Sequence, residues 1–157
     1  MKKIAVVAAM AAMLCGAAFA QNAKPVAEKD VAIKHVKDFE KQVSEPTNVK
    51  WWMIDSLTYK VTFTSKEGNP TAHVYSNRGV EKFFFVENRY CPHAISDTIA
   101  HMFPGYTLRE LWVRKVRGNK QTYQARVAKM GGFLWWKREK ESKKLNFEID
   151  GKFISAE

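Results

Sequence analysis

Two stretches of this chain follow one plan, and that repetition limits its fold more than any other feature. Ile95 to Val116, ISDTIAHMFPGYTLRELWVRKV, reads as a short amphipathic helix, a stop at Phe103-Pro104-Gly105, and a β-strand. Ala32 to Ile54 reads the same way: Ala32, Val36, Phe39 and Val43 share one helical face, Pro46 stops the helix, and Trp51 and Trp52 sit in the strand that follows. After each helix the periodicity falls to two. Tyr59, Val61 and Phe63 alternate with Lys60, Thr62 and Thr64, the pattern of a half-buried strand, and turn residues recur at Glu67 to Pro70, Asn77 to Gly79, Arg117 to Lys120 and Asp150-Gly151. The expectation is an α+β chain, a tandem repeat of one helix plus a four-stranded antiparallel meander with the helices on one face of the sheet. Residues 30–87 form the first expected unit and 92–155 the second.

The N-terminus reads differently. Lys2 and Lys3 precede an apolar run from Ile4 to Leu14 and small residues ending at Ala18-Phe19-Ala20, the layout of a secretory signal peptide. Cleavage is expected after Ala20, with residues 21–29 as a flexible leader and a periplasmic location for the product. The run is short for a membrane span. Leu14 and Ala12 do not suit lipid attachment at Cys15, so Cys15 belongs to the discarded peptide. Cys91 is then the one remaining cysteine, no internal disulfide can form, and stability has to come from packing.

Charge is unevenly spread. From Gln21 onward there are 24 basic and 16 acidic side chains; residues 21–91 carry +2 and residues 92–157 carry +6. A basic second unit would steer an acidic partner towards itself.

The ordered landmarks point to a family. The signal peptide, the helix ended by a proline, the strand near Trp51, the Y-x-V-x-F run of Tyr59 to Phe63, the FPGY run of Phe103 to Tyr106 and the closing F-E-I-D-G-K-F of Phe147 to Phe153 resemble the PepSY-like, β-lactamase-inhibitor-like proteins exported by Bacteroidetes-type bacteria. The resemblance spans roughly Asp30 to Ser155. It implies tandem helix-plus-meander units suited to protein binding, with no catalytic residues. Two departures stand out: Asn77-Arg78-Gly79 replaces an Asp-x-Gly turn, and an aromatic and basic insertion surrounds Trp135.

Catalytic patterns are weak. Cys91-Pro92-His93 with His101 is the most metal-like grouping, yet it lacks C-x-x-C or H-E-x-x-H spacing; no G-x-S-x-G, phosphate-binding glycine loop or carboxylate pair is present. No cofactor, metal or nucleic-acid partner is expected, and the chain reads as no enzyme. Aromatic residues carry more information. Adjacent Trp51 and Trp52, and the run Phe83-Phe84-Phe85, place apolar side chains on both faces of their strands, and helices covering one face would leave the other for a partner. The expected function is therefore a non-catalytic, inhibitor-like protein- or peptide-binding module that takes an acidic partner across an aromatic sheet face. Its expected contacts are Trp52, Tyr75, Phe84, Trp112, Arg114, Arg126, Trp135 and Trp136. The alternative is an envelope-associated protein whose Trp135/Trp136 loop, beside Lys137, Arg138 and Lys140, binds an anionic membrane surface.

Overall fold

A computed structural model describes residues 23–131 and 138–157. The signal peptide with its cleavage point after Ala20, Cys15, and the Trp135 and Trp136 loop lie outside the described residues. The strands are β1 (Lys24–Val26), β2 (Thr47–Asp55), β3 (Thr58–Thr64), β4 (Pro70–Ser76), β5 (Gly79–Val86), β6 (Tyr106–Lys115), β7 (Gln121–Gly131), β8 (Arg138–Glu148) and β9 (Phe153–Ala156). The helices are α1 (Ile33–Gln42) and α2 (His93–Met102). No helix among the described residues is long and apolar enough to cross a membrane.

The expected tandem repeat of a helix plus a four-stranded meander is corrected. Among the described residues the strands form one nine-stranded antiparallel sheet in the order β1 to β9, accompanied by two ten-residue α-helices and two single-turn 3-10 helices. Two properties of the chain enlarge the sheet. Lys24–Val26, expected within a flexible leader, pairs with β2 and sets Val26 against Trp51; β7 and β8 each extend to 11 residues. Both outer strands are poor templates for further pairing, because Pro25 in β1 has no backbone N–H and β9 has a bulge opposite Asn146 and Phe147.

The described residues divide into two compact units, one ending at Phe84 and the other beginning at Phe85. In the first, α1 drives Phe39 into an aromatic nest, with ring centroids 5.5 Å from Trp51 and 5.1 Å from Phe63, both edge to face. Val31, Val61 and Tyr75 complete this core, and the Trp51 indole N–H donates to Glu28 Oε2 at 3.3 Å. Two histidines share the space. His35 lies 5.4 Å from the Tyr75 ring, and His73 Nδ1 shares a hydrogen bond with the Tyr75 hydroxyl at 3.3 Å. In the second unit Ile95 and Ile99 of α2 pack on Leu111, Ala125, Val127, Leu145 and Phe147, one alternating set taken from β6, β7 and β8. Gly151, at φ +91°, closes the turn before β9 so tightly that a Cβ there would sit 2.8 Å from the Ala94 Cβ.

Two outcomes are expected from these cores. Gly151→Ala is expected to cost about 2–4 kcal/mol, from left-handed strain plus collision with Ala94. Gly118→Ala, at φ +85° with open space around it, is expected to cost only about 1 kcal/mol. Urea unfolding of the two variants checks the difference. Burial, assisted by Lys82, pulls the His73 pKa from 6.5 down to about 4, and burial lowers that of His35 as well. Between those values the unfolded chain takes up a proton that folded His73 refuses. Stability is therefore full above pH 6.5 and falls as the pH drops towards 4, by up to about 3 kcal/mol for His73. Urea midpoints at pH 7 and pH 5 should differ less in His73→Gln, which keeps a partner for Tyr75 without titrating; an unchanged gap would assign the acid sensitivity elsewhere.

Candidate functional site: a braced polar face on the second unit

Strand register decides which side chains meet. In β6 the core side chain Leu111 alternates with Glu110, Trp112 and Arg114, which point away from α2. Their partners on β7 are Arg126, Gln124 and Thr122, and the next row on β8 is Lys144, Asn146 and Glu148. The face turned from α2 is thus a polar grid with one tryptophan in it.

Hydrogen bonds brace this grid. Glu110 is the buried acid: its Oε2 accepts from the Trp112 indole N–H at 3.1 Å, and its Oε1 accepts from Arg126 Nε at 3.0 Å. Arg126 also donates from Nη1 to Glu139 Oε2 at 2.8 Å. Although burial opposes the charge on Arg126, these two carboxylates more than offset it, and its pKa is raised. Alongside, Gln124 donates to Asn146 at 3.1 Å, and Asn146 donates to Ser155 and Glu157, each at 3.1 Å. Buried polar groups that satisfy one another in this way hold a single arrangement.

Two irregularities shape the grid. A bulge between Leu108 and Glu110 sets Arg109 and Glu110 together opposite Arg126. A second, between Lys129 and Met130, advances β8 by one residue and pairs Met130 with Glu139. Without it, alternation would bring Lys140 to the arginines in place of Glu139. Lys140 lies instead beside Gly131, its Cδ 3.0 Å from where a Cβ would stand.

The eight expected contacts divide accordingly. Trp112, Arg114 and Arg126 share one face. Trp112 has to be corrected as a contact: it is 2% exposed, with the Phe85 ring packed edge to face against it at 5.3 Å, so it is covered and braces its neighbours without meeting a partner. In the first unit Trp52 faces away from α1, half-buried, in register with Lys60 and Val74; its indole N–H is buried with no hydrogen-bond partner. Tyr75 has to be corrected. It is 0% exposed and belongs to the core beneath His35, because β3 and β4 pair Tyr59 with Tyr75 and put it on the α1 side. Phe84 lies on that same side through its pairing with Thr71, and is 41% exposed. Trp52 therefore shares no face with Tyr75 and Phe84, and the expected continuous aromatic face is absent from the first unit. Lys60, Thr62, Ala72 and Phe83, on the side away from α1, are themselves buried.

The Cys91, His93 and His101 grouping is not assembled. His93 and His101 lie eight residues apart on α2, about 12 Å along its axis, and His101 Nδ1 is bonded to the Asp97 carbonyl at 2.8 Å. Burial pushes the Cys91 thiol pKa up, away from a nucleophilic thiolate. Among the described residues no cluster of three or more histidine, cysteine or acidic side chains is placed to hold a metal. Glu110, Glu139 and Arg109 were not singled out in the sequence. The alternation E-x-W-x-R of Glu110 to Arg114 was the one available sign of a second, polar face on β6.

Removing the acid at the centre gives a measurable effect. Glu110→Gln is expected to destabilise the chain by about 2–4 kcal/mol, because Arg126 then keeps one charged partner in place of two. In a double-mutant cycle, Glu110→Gln with Arg126→Met should cost clearly less than the two single changes together; additive costs would show that the pair is not coupled. No protein-family model, curated protein or solved structure matches the chain, so its functional reading rests on these side chains.

Proposed function

We propose that the chain is a non-catalytic, exported protein- or peptide-binding module that meets its partner on the sheet face turned away from α2. The braced row of Arg114, Trp112, Glu110 and Arg126 carries this reading. Arginine is among the residues that dominate the energetics of protein interfaces, and side chains already held by internal bonds lose little freedom when a partner docks. Pro25 and the β9 bulge argue for recognition across a face over extension of the sheet at its edge. The signal-peptide layout before Gln21 and the resemblance to exported PepSY-like proteins support a periplasmic setting. The contacts are those that retain exposure, Arg114 and Arg126, with Trp112 as support.

A photo-crosslinking side chain tests the surface. Placed at Arg114 in cells exporting the protein, it should capture one defined partner. The same group at Leu57, in the exposed turn between β2 and β3, should not. Equal capture from both positions, or none from Arg114, would refute the proposed face.

A further inference from the structure

Glu139 and the two arginines around it form a site that its present occupant fills incompletely. Glu139 Oε2 lies 2.8 Å from Arg126 Nη1, whereas its Oε1 lies 3.8 Å from Arg109 Nε, beyond hydrogen-bonding distance. Arg109 Nε is buried and has no hydrogen-bond partner. An unsatisfied buried donor is costly, and a guanidinium prefers a carboxylate that it can meet squarely. Glu139 is held back by its own backbone, since the bulge that turns it towards the arginines pairs its main chain with Met130. Its side chain is 41% exposed, while that of Arg126 is 13% exposed. The acid can therefore leave for solvent, and the arginine is fixed. Glu110 does not compete for the vacancy, being bound to Trp112 and to the Nε edge of Arg126.

We propose that Arg109 and Arg126 form a receptor for an acidic side chain of the bound protein, and that Glu139 fills it from within until the partner displaces it. This rests on the reading of the chain as a protein-binding module and assigns the partner's chemistry at one point: an aspartate or glutamate that bridges both guanidinium groups. A free carboxylate can settle between Arg109 Nε and Arg126 Nη1 and satisfy both, which Glu139 does not. The bulge in β6 brings Arg109 to the site and the bulge in β8 brings Glu139, so two separate irregularities converge on it.

The test measures binding of a capped hexaglutamate peptide to the full chain at low ionic strength, with hexaglutamine and inorganic phosphate as comparison probes. Glu139→Gln removes the internal occupant from an exposed position and is expected to bind hexaglutamate about tenfold more tightly than the wild type. Adding Arg109→Gln to that variant should abolish the gain. Glu141→Gln makes the same change in charge at an acid whose Oε1 is paired with Lys143 at 3.2 Å, and should produce no gain. Hexaglutamine should bind none of them. The proposal is overturned if Glu139→Gln and Glu141→Gln gain equally, if the gain survives loss of Arg109, or if phosphate binds as tightly as the peptide. Failure here, with a partner still captured from Arg114, would remove the receptor and leave the binding face; a gain here, with no capture, would do the reverse.

Discussion

The ion pair between Glu110 and Arg126 is the interaction on which the polar face depends. It joins β6 to β7 on the side that α2 does not cover, where no hydrophobic layer from the helix can order the side chains. One carboxylate orients the Trp112 indole and one edge of a guanidinium, and the other edge of that guanidinium is then aimed at Glu139. A buried ion pair contributes little net stability compared with good apolar packing. What this pair supplies is direction: it aims the Arg126 guanidinium, while the Trp112 ring, already packed on Phe85, has its indole N–H satisfied by the same acid.

The two units solve the problem of a two-faced sheet in different ways. The first packs rings beneath α1 and places two histidines among them, so that its core is well ordered at neutral pH and penalised in acid. The second packs aliphatic residues and one phenylalanine beneath α2 and gives its other face to charge. Much of the positive excess of residues 92–157 is not on that face, where Arg126 is matched by Glu110 and Glu139 and Lys144 by Glu157. Long-range attraction of an acidic partner would come from cations elsewhere, such as Arg117 and Lys120 in the exposed turn between β6 and β7, and close recognition from the arginines.

Periodicity made much of the secondary structure legible. The alternation of Tyr59, Val61 and Phe63 marks β3, and the spacing of Ile95 and Ile99 marks α2, because burial of one face imposes period two on strands and about 3.6 on helices. Register was not legible. Trp52, Tyr75 and Phe84 each sit in a strand with apolar residues on both sides, and nothing local says which side α1 will take; pairing across strands decides it and separates Trp52 from the other two. Bulges were equally hidden. A one-residue slip is what exchanges Lys140 for Glu139 beside Arg126, and no residue type announces it. The strand at Lys24–Val26 is hidden in the sequence because Pro25 signals a break in most contexts, whereas at the outer edge of a sheet its missing N–H costs nothing.

The strand order has a kinetic consequence. Because β1 to β9 lie side by side in the order in which they occur in the chain, each strand is joined to its neighbour by a short stretch of sequence. Loops that short lose little entropy on closing, and low contact order goes with fast folding even in proteins rich in β-structure. The sheet can grow hairpin by hairpin from either end, without waiting for distant segments to meet. For a chain whose described residues include one cysteine and so no disulfide to lock a late intermediate, speed of assembly is itself a protection: exposed strand edges exist only briefly before the next segment covers them.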